Sequence, residues 1–340
     1  MATPLDKIRS LFPLRIMASE EASRHVRDRQ ALLTKPPKSL GRLEDIVAFL
    51  AAWQAKPEPS LTHPAVIIFA GNHGVASQGV SAYPASATRA MVDNFHAGGA
   101  AINQLCKITG LDLKVYDIAL DSPSKDITEE PALEQDEAAE AFRFGLQAAG
   151  GGYDLICLGD MGIGNTTSAA AIYCALYGGE AKNWAGRGTG LGVEGLKRKI
   201  AAIEAAIARH EAHIGDPLEI LRRLGGREIA AIAGAITGAR WHRAPVILDG
   251  YVVCAAAAVL HAMDHGALDH CLAGHVSREG AHGEVLRRLG KSPLLDLGLC
   301  LGEGSGAALA FGVVKAALAC HYGMATFAEA GVPDRENGQG

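Results

Sequence analysis

The chain reads as an α/β protein, a mainly parallel sheet flanked by helices. Two patterns carry that reading. Short apolar runs ending in glycine or an acid alternate with long alanine-rich stretches of helical periodicity, the order that βαβ crossovers produce. Hydrophobic residues make up 49% of the 340 positions but aromatics only 5%, so the core must be built from small and branched side chains.

Residues 1–60 are charged and helical in pattern, broken at "TKPPKSLGRLE", where the prolines end one helix and Ser39 is placed to cap the next. The first buried strand is "AVIIFAG" (65–71), a β-branched and aromatic run. "LDLKVYDIAL" (111–120) alternates, as a strand at a sheet edge does. "YDLICLGD" (153–160) and "APVILDG" (244–250) are further strands, each followed by a turn. Helical patterns cover 166–178, 194–211, 251–265 and 306–320. The acidic stretch 121–142 reads as a solvated loop and helix face, and the tail "PDRENGQG" as frayed.

Function classes narrow from the same composition. A net charge of −5 offers no electrostatic pull toward nucleic acid or an anionic membrane. The apolar run "VVCAAAAVLHAM" is short and alanine-rich for a membrane span, and the first residues lack a signal-like apolar stretch. A cytoplasmic protein is expected. The seven cysteines show neither C-x-x-C pairs nor zinc spacing, and read as buried reduced thiols. No metal and no cofactor is expected.

Chemistry concentrates at three glycine-rich junctions, 159–167, 186–192 and 302–306. Such turns cradle phosphates when bare N–H groups and a helix start face the anion. None is a lysine-bearing phosphate loop, and none is a convincing dinucleotide fingerprint. Two of them carry acids, Asp160 in "LGDMGIGNTT" and Glu303 in "LGEGSG", where a carboxylate would repel a phosphate. Those acids could bind a divalent cation, act as a base, or stabilise a developing cation. Lys199 lies on the helix after the second turn, within reach of a phosphate held there. His73 in "GNHGV" reads either as a general base or as a polar loop anchor; Asp249 reads as orienting a substrate or capping the helix at 251.

In this order along the chain, "KPPKSLGRLE", "GNHGVASQGVSAYP", "GDMGIGNTTSAAA", "ILDGY", "HVSREGAH", "LLDLGLCLGEGSGAALA" and "FAEAGV" give it a close family resemblance. It resembles the nicotinate-nucleotide–dimethylbenzimidazole phosphoribosyltransferases nearly end to end. The resemblance implies a Rossmann-like three-layer α/β domain over 61–320. It adds a small helical domain built from 1–60 and 321–340, and a homodimer. The implied reaction moves phosphoribose from nicotinate mononucleotide to the benzimidazole in cobalamin nucleotide-loop assembly, giving α-ribazole 5′-phosphate and nicotinate. By resemblance Glu303 is the catalytic base, with Asp160 beside it. Gly162, Gly164, Asn165, Thr166, Gly188, Lys199 and Ser277 hold the nucleotide phosphate, while Tyr83, Met91 and Leu301 pack on the flat acceptor.

The chain departs from the family pattern at Asn72 (commonly aspartate), Asp160 (commonly glutamate), Lys38 (commonly glycine) and in the loop before 130. Two rival functions stay in view: a relative with another acceptor, such as adenine or a phenol, and a non-catalytic nucleotide-binding protein.

Overall fold

The computed structural model describes residues 2–333, so most of the tail expected to fray, 334–340, lies outside the described residues. Six strands form one sheet in the order β2-β1-β3-β4-β5-β6, with every neighbouring pair parallel. They are β1 (Pro64–Ala70), β2 (Asp112–Asp117), β3 (Leu155–Met161), β4 (Val246–Leu248), β5 (Cys271–His275) and β6 (Pro293–Leu295). The four strands expected from the sequence are β1 to β4, and β2 is an edge strand with exposed ends.

Side-chain alternation along the central strands separates two apolar layers. From β1, Ala65, Ile67 and Phe69 enter one cluster, while Val66 and Ile68 enter the other. The first layer is covered by helices Gln135–Ala148, Asn165–Tyr177, Arg227–Trp241 and Tyr251–Met263. Arg227–Trp241 is apolar nearly all round, because it lies between the sheet and Gln135–Ala148. The two helices approach closely through glycine: a Cβ at Gly145 would collide with the Ala231 carbonyl, and one at Gly234 with the Phe142 carbonyl.

Helices Glu20–Leu32, Arg42–Gln54, Ala101–Thr109 and Ser305–Gly323 cover the second face and share one buried cluster with Val66, Ile68 and Ile247. Ser305–Gly323 is long and apolar enough to cross a membrane by length and composition; here it lies on the sheet with Ala307, Ala308, Phe311 and Val314 buried. The two chain ends meet where Leu33 bridges Thr326 and Thr34 N–H donates to the Ala325 carbonyl at 3.0 Å.

Local details correct two expectations. Ser39 does not cap a helix: Arg42–Gln54 starts at Gly41, and the Glu44 carboxylate instead accepts the Leu40 N–H at 3.1 Å. The cysteines divide, with five buried but Cys300 exposed and Cys320 half-buried. The acidic 121–142 stretch is anchored by buried Ile127, Ala132 and Leu133.

The winding of the sheet sets where a ligand can sit. From β1 the chain builds outward to β2 on one side and to β3 through β6 on the other. In open parallel sheets that reversal leaves a crevice beyond the carboxyl ends of the strands.

Candidate active site

A cavity of about 1110 Å³ occupies that crevice. Its wall comes from the segment after β1 (Tyr83, Met91), the turn after β3 (Asp160 to Thr166), and the 188–190 loop. Residues after β4 (Gly250 to Val252), after β5 (Ser277, Glu279) and after β6 (Cys300 to Glu303) also line it. Asp160, Gly162, Gly164, Asn165, Thr166, Gly188, Ser277 and Glu303 all line it, as do Tyr83, Met91 and Leu301. Lys199 does not.

Two glycine turns open helices against this space. Helix Asn165–Tyr177 starts from Gly164 at φ +96°, and helix Ser305–Gly323 from Gly304 at φ +76°. Neither helix is capped by its own N-cap residue; the start at Asn165 borders the cavity with the positive end of its dipole, whereas the start at Ser305 is covered from within the fold by Asp249. Glu303 itself has φ +66°, a left-handed conformation that costs a residue with a Cβ about 1–2 kcal/mol. The surroundings impose it. Glu303 N–H donates to the Asp160 carbonyl at 3.1 Å, and the Asp249 carboxylate accepts the N–H groups of Gly304 (3.1 Å) and Ala307 (2.8 Å). Beneath the turn lies Gly159, where any Cβ would strike the Gly304 backbone. Asp249 therefore neither caps the helix at 251 nor lines the cavity; it clamps the Glu303 turn from below.

Burial and mutual repulsion shape the acids. Burial, reinforced by the charges of Asp249, Glu228 and Glu303, pushes the Asp160 carboxyl up to about 8, although an N–H from Asn165 at 2.8 Å opposes the shift. Glu303 is pushed up to about 7 by burial and by Asp249. Among the described residues no lysine or arginine pairs with Asp160, Glu303 or Asp249; only His275 approaches, 3.5 Å from Asp249. A pair of desolvated carboxyls with proton affinities near neutrality is suited to proton transfer and to balancing a transient cation.

At the other end of the cavity the charges are matched. Lys199 is fully buried behind the wall, with Nζ 2.9 Å from Thr166 Oγ1, 3.1 Å from the Gly186 carbonyl and 3.4 Å from Glu279 Oε1. Lys199 thus stands one side chain deep, behind Thr166 and Glu279. His73 also lies off the cavity. Its Nε2 meets Glu228 Oε1 at 2.5 Å and its Nδ1 meets the Ser168 hydroxyl at 3.0 Å, the loop-anchor alternative. Asn72 donates to the Leu120 carbonyl, 2.9 Å away.

Comparison with known proteins agrees with this architecture. A family model described as phosphoribosyltransferase matches residues 17–332. The nicotinate-nucleotide–dimethylbenzimidazole phosphoribosyltransferase of Methylocella silvestris is 65% identical over 337 residues, 99% of each chain. That of Rhizobium meliloti is 58% identical over 335 residues, 98% of each chain. The crystal structure of CobT from Thermus thermophilus superposes with a TM-score of 0.86 at 42% identity, covering 92% of this chain and 99% of that one. The chain belongs to the nicotinate-nucleotide–dimethylbenzimidazole phosphoribosyltransferase family.

One departure from the family pattern has a visible cost. Lys38, where glycine is common, sits at φ +60°, so it holds a backbone conformation that glycine adopts freely. The sequence reading missed Glu279, which follows β5, a strand too short to stand out; it named Asp249 as a strand-end acid but not its hold on the distant turn at Gly304.

Proposed function

We propose that the protein transfers the phosphoribosyl group of nicotinate mononucleotide to 5,6-dimethylbenzimidazole, giving α-ribazole 5′-phosphate and nicotinate. This is a step in cobalamin lower-ligand assembly. One ring nitrogen of the benzimidazole attacks C1′ as the pyridinium C–N bond breaks, with inversion from β to α. The bonding pair returns to the ring nitrogen, which becomes that of a neutral pyridine, and the ring leaves as nicotinate with its carboxylate unchanged. Glu303 takes the N–H proton from the second benzimidazole nitrogen, and its charge balances the cation that develops on the ribose. Asp160, the shorter acid, tunes and orients Glu303. The reaction is redox-neutral and its leaving group is already cationic, so we propose it without metal or cofactor.

The observation that carries this reading is the placement of Glu303. A strained, buried carboxylate with no cationic partner among the described residues faces a cavity whose other turns suit an anion. In this reading the turn at 162–166, together with Gly188, Ser277 and Lys199 behind them, holds the phosphate. Tyr83, Met91 and Leu301 pack against the flat base. The cavity's 1110 Å³ exceeds the usual range of about 300–1,000 Å³ for one small ligand, which suits two substrates bound together. We further propose a cytoplasmic homodimer whose small helical domain comes from both chain ends, with no nucleic-acid or membrane partner.

The test is to incubate the protein with nicotinate mononucleotide and a panel of bases, without added metal, and to identify products by mass spectrometry. The α-ribazole phosphate mass with dimethylbenzimidazole is expected. Transfer only to adenine or a phenol would reassign the acceptor, and no transfer to any base would favour a binding protein.

A further inference from the structure

Glu279 is a carboxylate where the reading above puts a phosphate. Its side chain is only 4% exposed, yet it lines the cavity. One oxygen lies 3.4 Å from Lys199 Nζ, and the other accepts the Gly188 N–H at 3.0 Å. Its own N–H donates to the Ser277 hydroxyl oxygen, 3.2 Å away. Three groups assigned to the phosphate are therefore engaged by one acid or its backbone.

The neighbourhood is shaped around that acid. Gly186 passes so close that any Cβ there would strike the Glu279 carboxylate, and Lys199 has no other anionic partner among the described residues. A fully buried lysine without a counter-charge is strongly unfavourable, so an empty phosphate site on this lysine needs a substitute anion.

We propose that Glu279 is a specificity-determining place-holder, whose carboxylate occupies the Lys199 and Gly188 donors until the nucleotide phosphate displaces it. The inference rests on the phosphoribosyltransferase reading for the identity of the incoming anion. A phosphate brings close to two negative charges and three acceptor oxygens, so it can engage Lys199, Gly188 and the Thr166 hydroxyl together. A monoanion offers little that Glu279 does not already supply, and is kept out. Beyond Glu279, Gly280 has open space on its Cβ side, which leaves room for the turn to give way. The price of this arrangement is affinity: the apparent dissociation constant is raised by the fraction of sites that Glu279 fills.

Binding of inorganic phosphate by calorimetry tests the proposal, using wild type, Glu279→Gln and Glu279→Asp, alongside the transfer assay on wild type. Glutamine keeps the shape but not the charge, so phosphate should bind about three- to tenfold more tightly. Acetate, the same group supplied in solution, should compete with phosphate in that variant and not in wild type. Should Glu279→Gln fail to fold, Glu279→Asp, whose carboxylate is drawn back by one methylene, should tighten phosphate in the same direction by less. Phosphate binding equal to or weaker than wild type in the folded variants would overturn the proposal and make Glu279 a fixed strut. Wild-type transfer with no tightening rejects the place-holder and keeps the enzyme; tightening without transfer does the reverse.

Discussion

The two ends of the cavity use carboxylates in opposite ways. At the Glu303 end, Asp160 and Glu303 are buried without a lysine or arginine partner among the described residues, with Asp249 behind them, and burial raises both cavity acids toward neutrality. At the Lys199 end, Glu279 is equally buried but lies against an ammonium group and a backbone N–H. Burial is common to both; the partner differs. An unpaired buried acid stores affinity for a proton, and a paired one stores affinity for an incoming anion. In the proposed reaction one crevice would thus serve proton transfer at one end and hold the phosphate at the other, with the sugar between them.

The sharpest way to break this contrast is at Glu303. Glu303→Gln keeps the volume but cannot accept the proton or balance the ribose cation, so kcat should fall about 10²-fold or more. The nucleotide KM should stay near wild type, because the phosphate end is untouched; steady-state kinetics on both substrates reads the split.

Lys199→Ala should do the converse. Loss of a charge-assisted contact, about 1.5–3 kcal/mol, should raise the nucleotide KM with a smaller effect on kcat. It also strands Glu279 as a buried charge, so the variant should melt below wild type, and adding Glu279→Gln should recover part of that loss. Thermal melts of the single and double variants check it; full additivity would show that the two side chains are not coupled.

Asp160 carries a stability prediction with a definite sign. Its carboxyl titrates near 8 in the folded chain against an ordinary value of 3.8, so between those pH values the folded state holds a proton that the unfolded state has lost. Stability from this group is therefore present at low pH and declines as pH rises toward 8. Asp160→Asn removes that decline, and should melt a few degrees above wild type at pH 8 (about 2–4 °C per kcal/mol) with little difference at pH 4. A variant that melts below wild type at pH 8 would remove the burial argument.

The smallest effect is expected at the acceptor. Met91→Ala should change the ranking among substituted benzimidazoles, a difference of about 1–3 kcal/mol in a shaped apolar pocket, while leaving the nucleotide KM alone. Identical relative kcat/KM values for all acceptors would take Met91 out of that pocket.

What the sequence disclosed follows from how far each interaction reaches along the chain. β1 and β3 are continuous apolar runs buried on both faces, and β3 leads straight into the 159–167 glycine turn, so there strand and site were visible together. The three-residue strands β4 and β6 and the five-residue β5 lack the length for a pattern; β4 was legible through its terminal "LDG", and β5 and β6 were not. Glu303 stood out because an acid between glycines contradicts a phosphate cradle. The left-handed backbone that aims it did not, since it depends on Asp249, Gly159 and Asp160 in other elements. Lys199 was read as a cation within reach of the ligand because its helix follows the second glycine turn. Only the fold reveals that Thr166 and Glu279 stand in front of it.

The central claim is that Glu303 works as an ionised base whose proton affinity is set by its burial. The pH dependence of kcat/KM, measured for wild type and Glu303→Gln with nicotinate mononucleotide and dimethylbenzimidazole, tests it most directly. The carboxyl of the free enzyme is raised to about 7, so the wild-type rate should climb through that region and level off above it. The glutamine variant should be slow and should lack that limb. A variant that keeps a near-normal rate and the same rise through neutrality would contradict the account.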